Sequence, residues 1–243
     1  MVSEPLTSGG IGEPAQDEVL EELSTAVHYI DWLAALCDPW LGDEPIEVGA
    51  GRGDYADRWR RGGRSLVVSE ADPHRLDDLA QRYAGASDVS VRRLTAPVTE
   101  RSDYSAAVAL NVLEHIEADV EALQSFAGLV RPGGHVIVIV PAFQIAMSDF
   151  DRRIGHVRRY RRVGLWQRFE QAGLEPVTVH YLNALGLIGW VVLIRLLRGQ
   201  PRDGVPLRVF DRIVVPVLRR LEAVRPPPFG QSVIAVGRVP DAP

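Results

Sequence analysis

The sequence predicts an α/β fold built on a doubly wound, mostly parallel sheet. Three observations carry that prediction. Short apolar runs recur along the chain, and helical stretches separate them. The first run ends in a glycine-rich turn, "IEVGAGRGDY", residues 46–55. Short buried strands alternating with helices belong to parallel sheets covered on both faces.

The elements follow in order. Helical periodicity runs from Asp17 to about Leu36, with Ala26, Ile30, Leu33 and Ala34 at core positions. "EPIEVGA" reads as the first strand, "SLVVSEA" as the second and "DVSVRRL" as the third. "AAVALN" is the fourth and "HVIVIVPA" the fifth, fed by a turn at "RPGG" (131–134). Helices are expected at Tyr55–Arg60, Arg75–Tyr83 and Val112–Leu129. "LEPVTVHYLN" and "QSVIAVGRV" read as two final strands. Between them, at about 184–231, lies an irregular helical insertion. It overlaps an uncharged run, Tyr181 to Ile194, too short for the roughly 20 residues that cross a bilayer. Further on, Leu207, Phe210, Val214, Val217 and Leu221 share a helical face, with Arg208, Arg212, Arg219 and Arg220 elsewhere and Pro216 as a kink. Residues 1–15 are expected to form a disordered tail, and residues 16–243 a single domain.

The 243 residues carry a net charge of −5, which argues against general nucleic-acid binding. A single cysteine, Cys37, forbids an internal disulfide and a cysteine-only metal site. No metal site is expected. No secretory signal is visible, so a cytoplasmic location is expected. All 27 basic residues are arginine, which we read as the codon bias of a GC-rich, bacterial genome.

The glycine turn raises the question of its ligand. Its pattern is Gly49-x-Gly51-x-Gly53. A dinucleotide fingerprint wants G-x-G-x-x-G, but position 54 is Asp; a P-loop needs lysine, and the chain has none. Glu47, two residues before the first glycine, repels a pyrophosphate and favours a ligand carrying an ammonium and a sulfonium. S-adenosylmethionine carries both and has no phosphate. Glu70, at the end of the second strand, stands where a carboxylate accepts bonds from ribose hydroxyls.

With these residues the chain resembles the class I S-adenosylmethionine-dependent methyltransferases that act on small molecules. The matching stretches are "IEVGAGRGDY", "VVSEADPHRL", "ALNVLEHI", "LVRPGGHVIVIVP" and "GHVRRY", spread over about residues 20–240. The resemblance implies a Rossmann-like seven-stranded sheet with its last strand antiparallel, and a cofactor over the carboxyl ends of the first strands. It places Glu47, Gly49, Gly51 and Gly53 around the methionine portion and Glu70 at the ribose, with Ala50 and Ala71 also against the cofactor and Asn111 in the same cleft. One departure concerns the adenine. Such enzymes usually carry an acid after the third strand, whereas here "RRLTAPV" offers Thr95 and Ala96, leaving the Ala96 backbone amide to bind the ring.

Methyl transfer needs a positioned nucleophile and, for a protonated acceptor, a base. Two histidines qualify: His115 in "LEHI" and His156 in "DFDRRIGHVRRYRR". The residues leave open which one is the base. Arg159 and Tyr160 match a motif recurring in similar sequences. Arg159 would grip an anionic group, and Tyr160 would orient the base or the substrate. Asp151, Met147 and Trp190 are placed on the substrate side, with the 184–231 insertion as a lid. The expected function is methyl transfer to a small molecule of secondary or lipid-linked metabolism, with oxygen as the favoured acceptor. The expected assembly is a monomer or homodimer touching a membrane at most peripherally. The rival is a protein of the same fold that binds the cofactor yet acts as a cyclase, isomerase or scaffold.

Overall fold

The structure is a computed structural model describing residues 24–192 and 205–241, with Asp17 and Glu21. The proposed disordered tail lies outside the described residues. Asp17, Glu21 and Ser24 are helical, and helix α1 (Val27–Cys37) then precedes β1 (Pro45–Val48), α2 (Ala56–Arg60), β2 (Leu66–Glu70), α3 (Pro73–Arg82) and β3 (Val89–Arg93). Then come β4 (Tyr104–Leu110), α4 (Asp119–Gly128), β5 (Val130–Pro141), α5 (Asp149–Arg153), α6 (Arg162–Gln171) and β6 (Glu175–Leu182). The insertion contributes α7 (Ala184–Gly189), α8 (Val205–Val209), a π-helical turn (Phe210–Val214) and α9 (Val215–Val224), and β7 (Ser232–Arg238) ends the sheet.

The strand order is β3-β2-β1-β4-β5-β7-β6. The first five strands pair in parallel, and β7 runs antiparallel to both neighbours. This is the expected seven-stranded, doubly wound sheet. Alternate strand residues feed its two faces. Val136, Val138 and Val140 join Phe126, Leu165 and Phe169 on one face. Ile137 and Ile139 join Leu33, Trp59 and Leu79 on the other.

Several elements differ from expectation: the helix expected from Asp17 to about Leu36 is interrupted at Thr25 and Ala26, and α5 lies where no helix is expected. The helix expected over Val112–Leu129 is two pieces: a 3-10 turn, Leu113–His115, and α4. Asn111 at φ 55 and Ile116 in extended conformation break the run on either side of the turn. "RPGG" lies inside β5 as a register irregularity rather than before it, with Gly133 at φ +78. Helix α6 was not expected, because Gly164 and flanking arginines blur its apolar stripe of Leu165 and Phe169.

The insertion is tied to the start of the fold. Asp211 accepts the backbone amides of His28 (3.2 Å) and Tyr29 (2.9 Å), occupying the otherwise bare N-terminus of α1. Val215 and Leu218 of α9 pack on Trp32 of α1.

Candidate active site

The strand ends of β1, β2 and β4 converge on the glycine loop. Gly49 and Gly53 hold φ angles of +70° and +80°, where a side chain is strained. Both also stand against protein. A Cβ on Gly49 would lie 2.7 Å from Val112 Cγ2, and one on Gly53 2.5 Å from the Tyr83 hydroxyl. These two glycines therefore let the loop close onto Val112 and Tyr83.

Glu70 fastens the same loop. One carboxylate oxygen accepts the Gly51 amide at 3.0 Å. The other accepts the amides of Ala71 (2.9 Å) and Asp72 (3.1 Å). Three of its roughly four acceptor sites are thus taken by backbone. Glu47 is its opposite. It is 2% exposed, its Oε2 has no hydrogen-bond partner, and burial, with Asp54 and Glu70 nearby, pushes its pKa well up. A buried carboxylate left bare beside this loop fits a ligand bearing positive charge. Ala50 is buried within the loop, Ala96 is half-buried against the core after β3, and Asn111 is exposed at the end of β4. The expected cofactor residues therefore come together at one end of the sheet.

Val112 links this loop to a second cluster. The 3-10 turn after it carries Glu114 and His115, and the segment after α5 carries His156. The two imidazoles meet edge to face, with centroids 4.7 Å apart. His156 Nδ1 lies 2.9 Å from Asp151. Asp151 is fully buried and caps α5 through a reciprocal box with Ser148. It also takes two hydrogen bonds from Arg159, at 3.0 and 2.7 Å. Burial raises the Asp151 pKa, but His156, Arg159 and Ser148 outweigh it and hold it down at about 2. An ionised carboxylate only accepts, so the His156 ring donates to Asp151 through Nδ1 and turns Nε2 towards Glu114.

Glu114 faces that Nε2 across 3.7 Å. It is wholly buried, neither carboxylate oxygen has a hydrogen-bond partner, and burial pushes its pKa up to about 7. Burial and the nearby His156 lower the His115 pKa to about 4. Ligand atoms of Glu114, His115 and His156 lie within 4.8 Å of one another, a set able to hold a metal ion although none was expected. Glu114 went unremarked in the sequence. Its signal was adjacency to His115, which helical spacing does not single out.

Several expected substrate residues are engaged elsewhere. Arg159 is 7% exposed and committed to Asp151 and the Ala142 carbonyl, so its guanidinium is not free to grip an anion. Asp151 is saturated and positions other side chains. Tyr160 turns its hydroxyl to Asp119 (3.1 Å) and the Leu113 carbonyl (3.3 Å), and its backbone pairs alongside the end of β5. It braces the loop rather than His156. Met147 is half-buried beside the α5 cap. Trp190, from the insertion, lies over Arg159 with the guanidinium 4.7 Å from its ring, stacks edge-on with Phe150, and donates to the Ala146 carbonyl at 3.1 Å.

A parallel sheet with an inserted antiparallel seventh strand, and a glycine turn flanked by Glu47 and Glu70, is the architecture of class I S-adenosylmethionine-dependent methyltransferases. Residues 46–136 match the family model described as a methyltransferase domain. An "Ubiquinone biosynthesis O-methyltransferase" of Alkalilimnicola ehrlichii is 30% identical over 113 residues, covering 44% of this chain and 45% of that one. The chain spans less than half the length of the curated relatives of this name. A geranyl diphosphate methyltransferase solved in complex with S-adenosylmethionine has a TM-score of 0.61 at 14% identity, covering 86% of this chain and 84% of that one. The [4+2]-cyclase SpnF gives 0.59 at 17%, with 87% and 81% covered. At these identities the two structures show the fold.

Proposed function

We propose that the protein transfers the methyl group of S-adenosylmethionine to an oxygen of a small, partly apolar molecule, and that His156 removes the acceptor's proton. The observation that carries this reading is the Asp151–His156 pair. Asp151 accepts the Nδ1 hydrogen bond, so Nε2, on the side of Glu114, is the nitrogen left to accept the acceptor's proton. When bound, the cofactor supplies a methyl on a sulfonium, a good leaving group. Glu47 would hold its ammonium, and the remaining acceptor site on Glu70 its ribose. The Ala96 amide would meet the adenine, and Asn111 would line the cleft between cofactor and acceptor. His115, neutral by burial, shapes the pocket beside His156. The likeness to an O-methyltransferase over 113 residues supports oxygen as the acceptor atom. Trp190 and Met147 offer an apolar wall.

The test is release of S-adenosylhomocysteine with a panel of phenols and hydroxy acids. His156→Ala should lower turnover roughly 10²–10⁴-fold, with cofactor affinity unchanged. Cofactor binding with no product from any acceptor would favour the cyclase or scaffold reading. No helix among the described residues is long and apolar enough to cross a membrane. We place the enzyme in the cytoplasm, acting on small molecules and not on nucleic acid, as a monomer or homodimer.

The bare Glu114 carboxylate favours a second reading of the same cluster. Glu114, His115 and His156 would bind a divalent cation that orients the acceptor oxygen. Cobalt(II) titration separates the two. A d–d spectrum lost in Glu114→Gln supports the cation, and a featureless titration leaves His156 as the base.

A further inference from the structure

Helix α9 has two apolar faces, and only one is used. Val215 and Leu218 are buried against Trp32. Val217, Leu221 and Val224, spaced at i, i+4 and i+7, share another face and are 51%, 63% and 87% exposed. Ile213 in the preceding turn is 62% exposed. The neighbouring helix α7 and the turn after it repeat the pattern with Leu185, Ile188 and Val192, all about half exposed.

The charges around these residues have one sign. Arg208, Arg212, Arg219, Arg220 and Arg225 are exposed, and none has an ion-pair partner among the described residues. The two acids of the same stretch are turned inward. Asp211 holds the start of α1, and Glu222 accepts the amides of Asn183 (2.9 Å) and Ala184 (3.0 Å). An exposed aliphatic stripe bordered by arginines without ion-pair partners, and with no outward acid among the described residues of the insertion, matches the interface between headgroups and acyl chains of an anionic bilayer. A second copy of this chain would instead bring arginine against arginine.

We propose that the outer face of α9, with the exposed side chains of α7, docks the protein on an anionic lipid surface. The aliphatic side chains enter the acyl boundary, and the arginines meet lipid phosphates. Trp190 leaves the same insertion for the His156 loop, so the docked face adjoins the candidate active site.

The experiment is sedimentation of the full chain with vesicles of phosphatidylcholine alone or mixed with phosphatidylglycerol. Binding to the mixed vesicles, weakened by salt, is expected. Val217→Asp with Leu221→Asp should lower the bound fraction roughly tenfold or more. Arg212→Gln with Arg220→Gln should lower it roughly severalfold. Both double variants should keep wild-type affinity for S-adenosylhomocysteine, which reports folding independently of the methyl-transfer reading. No binding to either vesicle overturns the proposal. So does a dimer in solution that the same aspartates dissociate, because the occupant would then be a second copy.

Discussion

The glycine loop and the histidine loop each bury two carboxylates, and in each loop one is held by several hydrogen bonds while the other has an oxygen without a partner. Glu70 takes three backbone amides and Asp151 takes His156, Arg159 and Ser148. Glu47 and Glu114 are as deeply buried, yet Oε2 of Glu47 and both carboxylate oxygens of Glu114 lack hydrogen bonds. A saturated carboxylate fixes the geometry of what surrounds it. A bare one raises the energy of the empty protein and lowers it again when a partner arrives. The difference assigns shape to Glu70 and Asp151, and ligand response to Glu47 and Glu114.

The largest expected effect falls on the saturated side. Asp151→Ala leaves the Arg159 guanidinium buried and unpaired, and should cost about 3–5 kcal/mol in denaturant unfolding. A loss below about 1 kcal/mol would mean that Asp151 is not the brace. On the bare side the sign should reverse. Glu47→Gln should keep or raise stability while weakening S-adenosylhomocysteine, or more sharply S-adenosylmethionine, in calorimetry. Equal affinities in wild type and variant would dissolve the comparison.

Glu70→Gln should be intermediate, losing about 1–3 kcal/mol as charge-assisted bonds to amides weaken, seen in both stability and cofactor affinity. A subtler test uses pH. The Glu114 pKa is raised from 4.5 to about 7 in the folded protein. The unfolded chain therefore releases its proton first, and this contribution to stability falls as pH rises between those values. His115, lowered from 6.5 to about 4, acts oppositely, and its contribution is lost as pH falls through that window. Thermal unfolding with chelator present should show Glu114→Gln gaining on wild type as pH rises from about 4.5 to 7. A constant gap between the two curves would contradict the raised pKa. The smallest effect is expected at Trp190→Ala, which removes a cation–π contact of about 0.5–2 kcal/mol over Arg159.

What the sequence made legible was set by local period and spacing. The strands read clearly because residues 106–110 of β4 and 136–140 of β5 are continuous apolar runs. Glu47, the three glycines and Glu70 lie at offsets fixed by one β-α-β unit. The histidine cluster was legible only as a list of residues. Which atoms Arg159 and Tyr160 reach depends on how the segment after α5 folds back beside β5, and nothing in "GHVRRY" encodes that return. An arginine beside a histidine reads as a ligand clamp, but Asp151, eight positions earlier, had already claimed it. Glu114 escaped notice because a buried charge without a partner is anomalous only once burial is known.

The placement of β7 has a consequence for how the chain is made. β6 pairs with no strand but β7, and β7 separates it from β5. During synthesis some fifty residues of insertion must therefore leave the ribosome before β6 finds its neighbour. Until Ser232–Arg238 emerges, β5 remains an open edge and Val179 and Tyr181 have nothing to lie against in the sheet. A nascent chain stalled before residue 232 would thus hold a finished glycine loop on an unfinished sheet, a state exposed to chaperones and proteases.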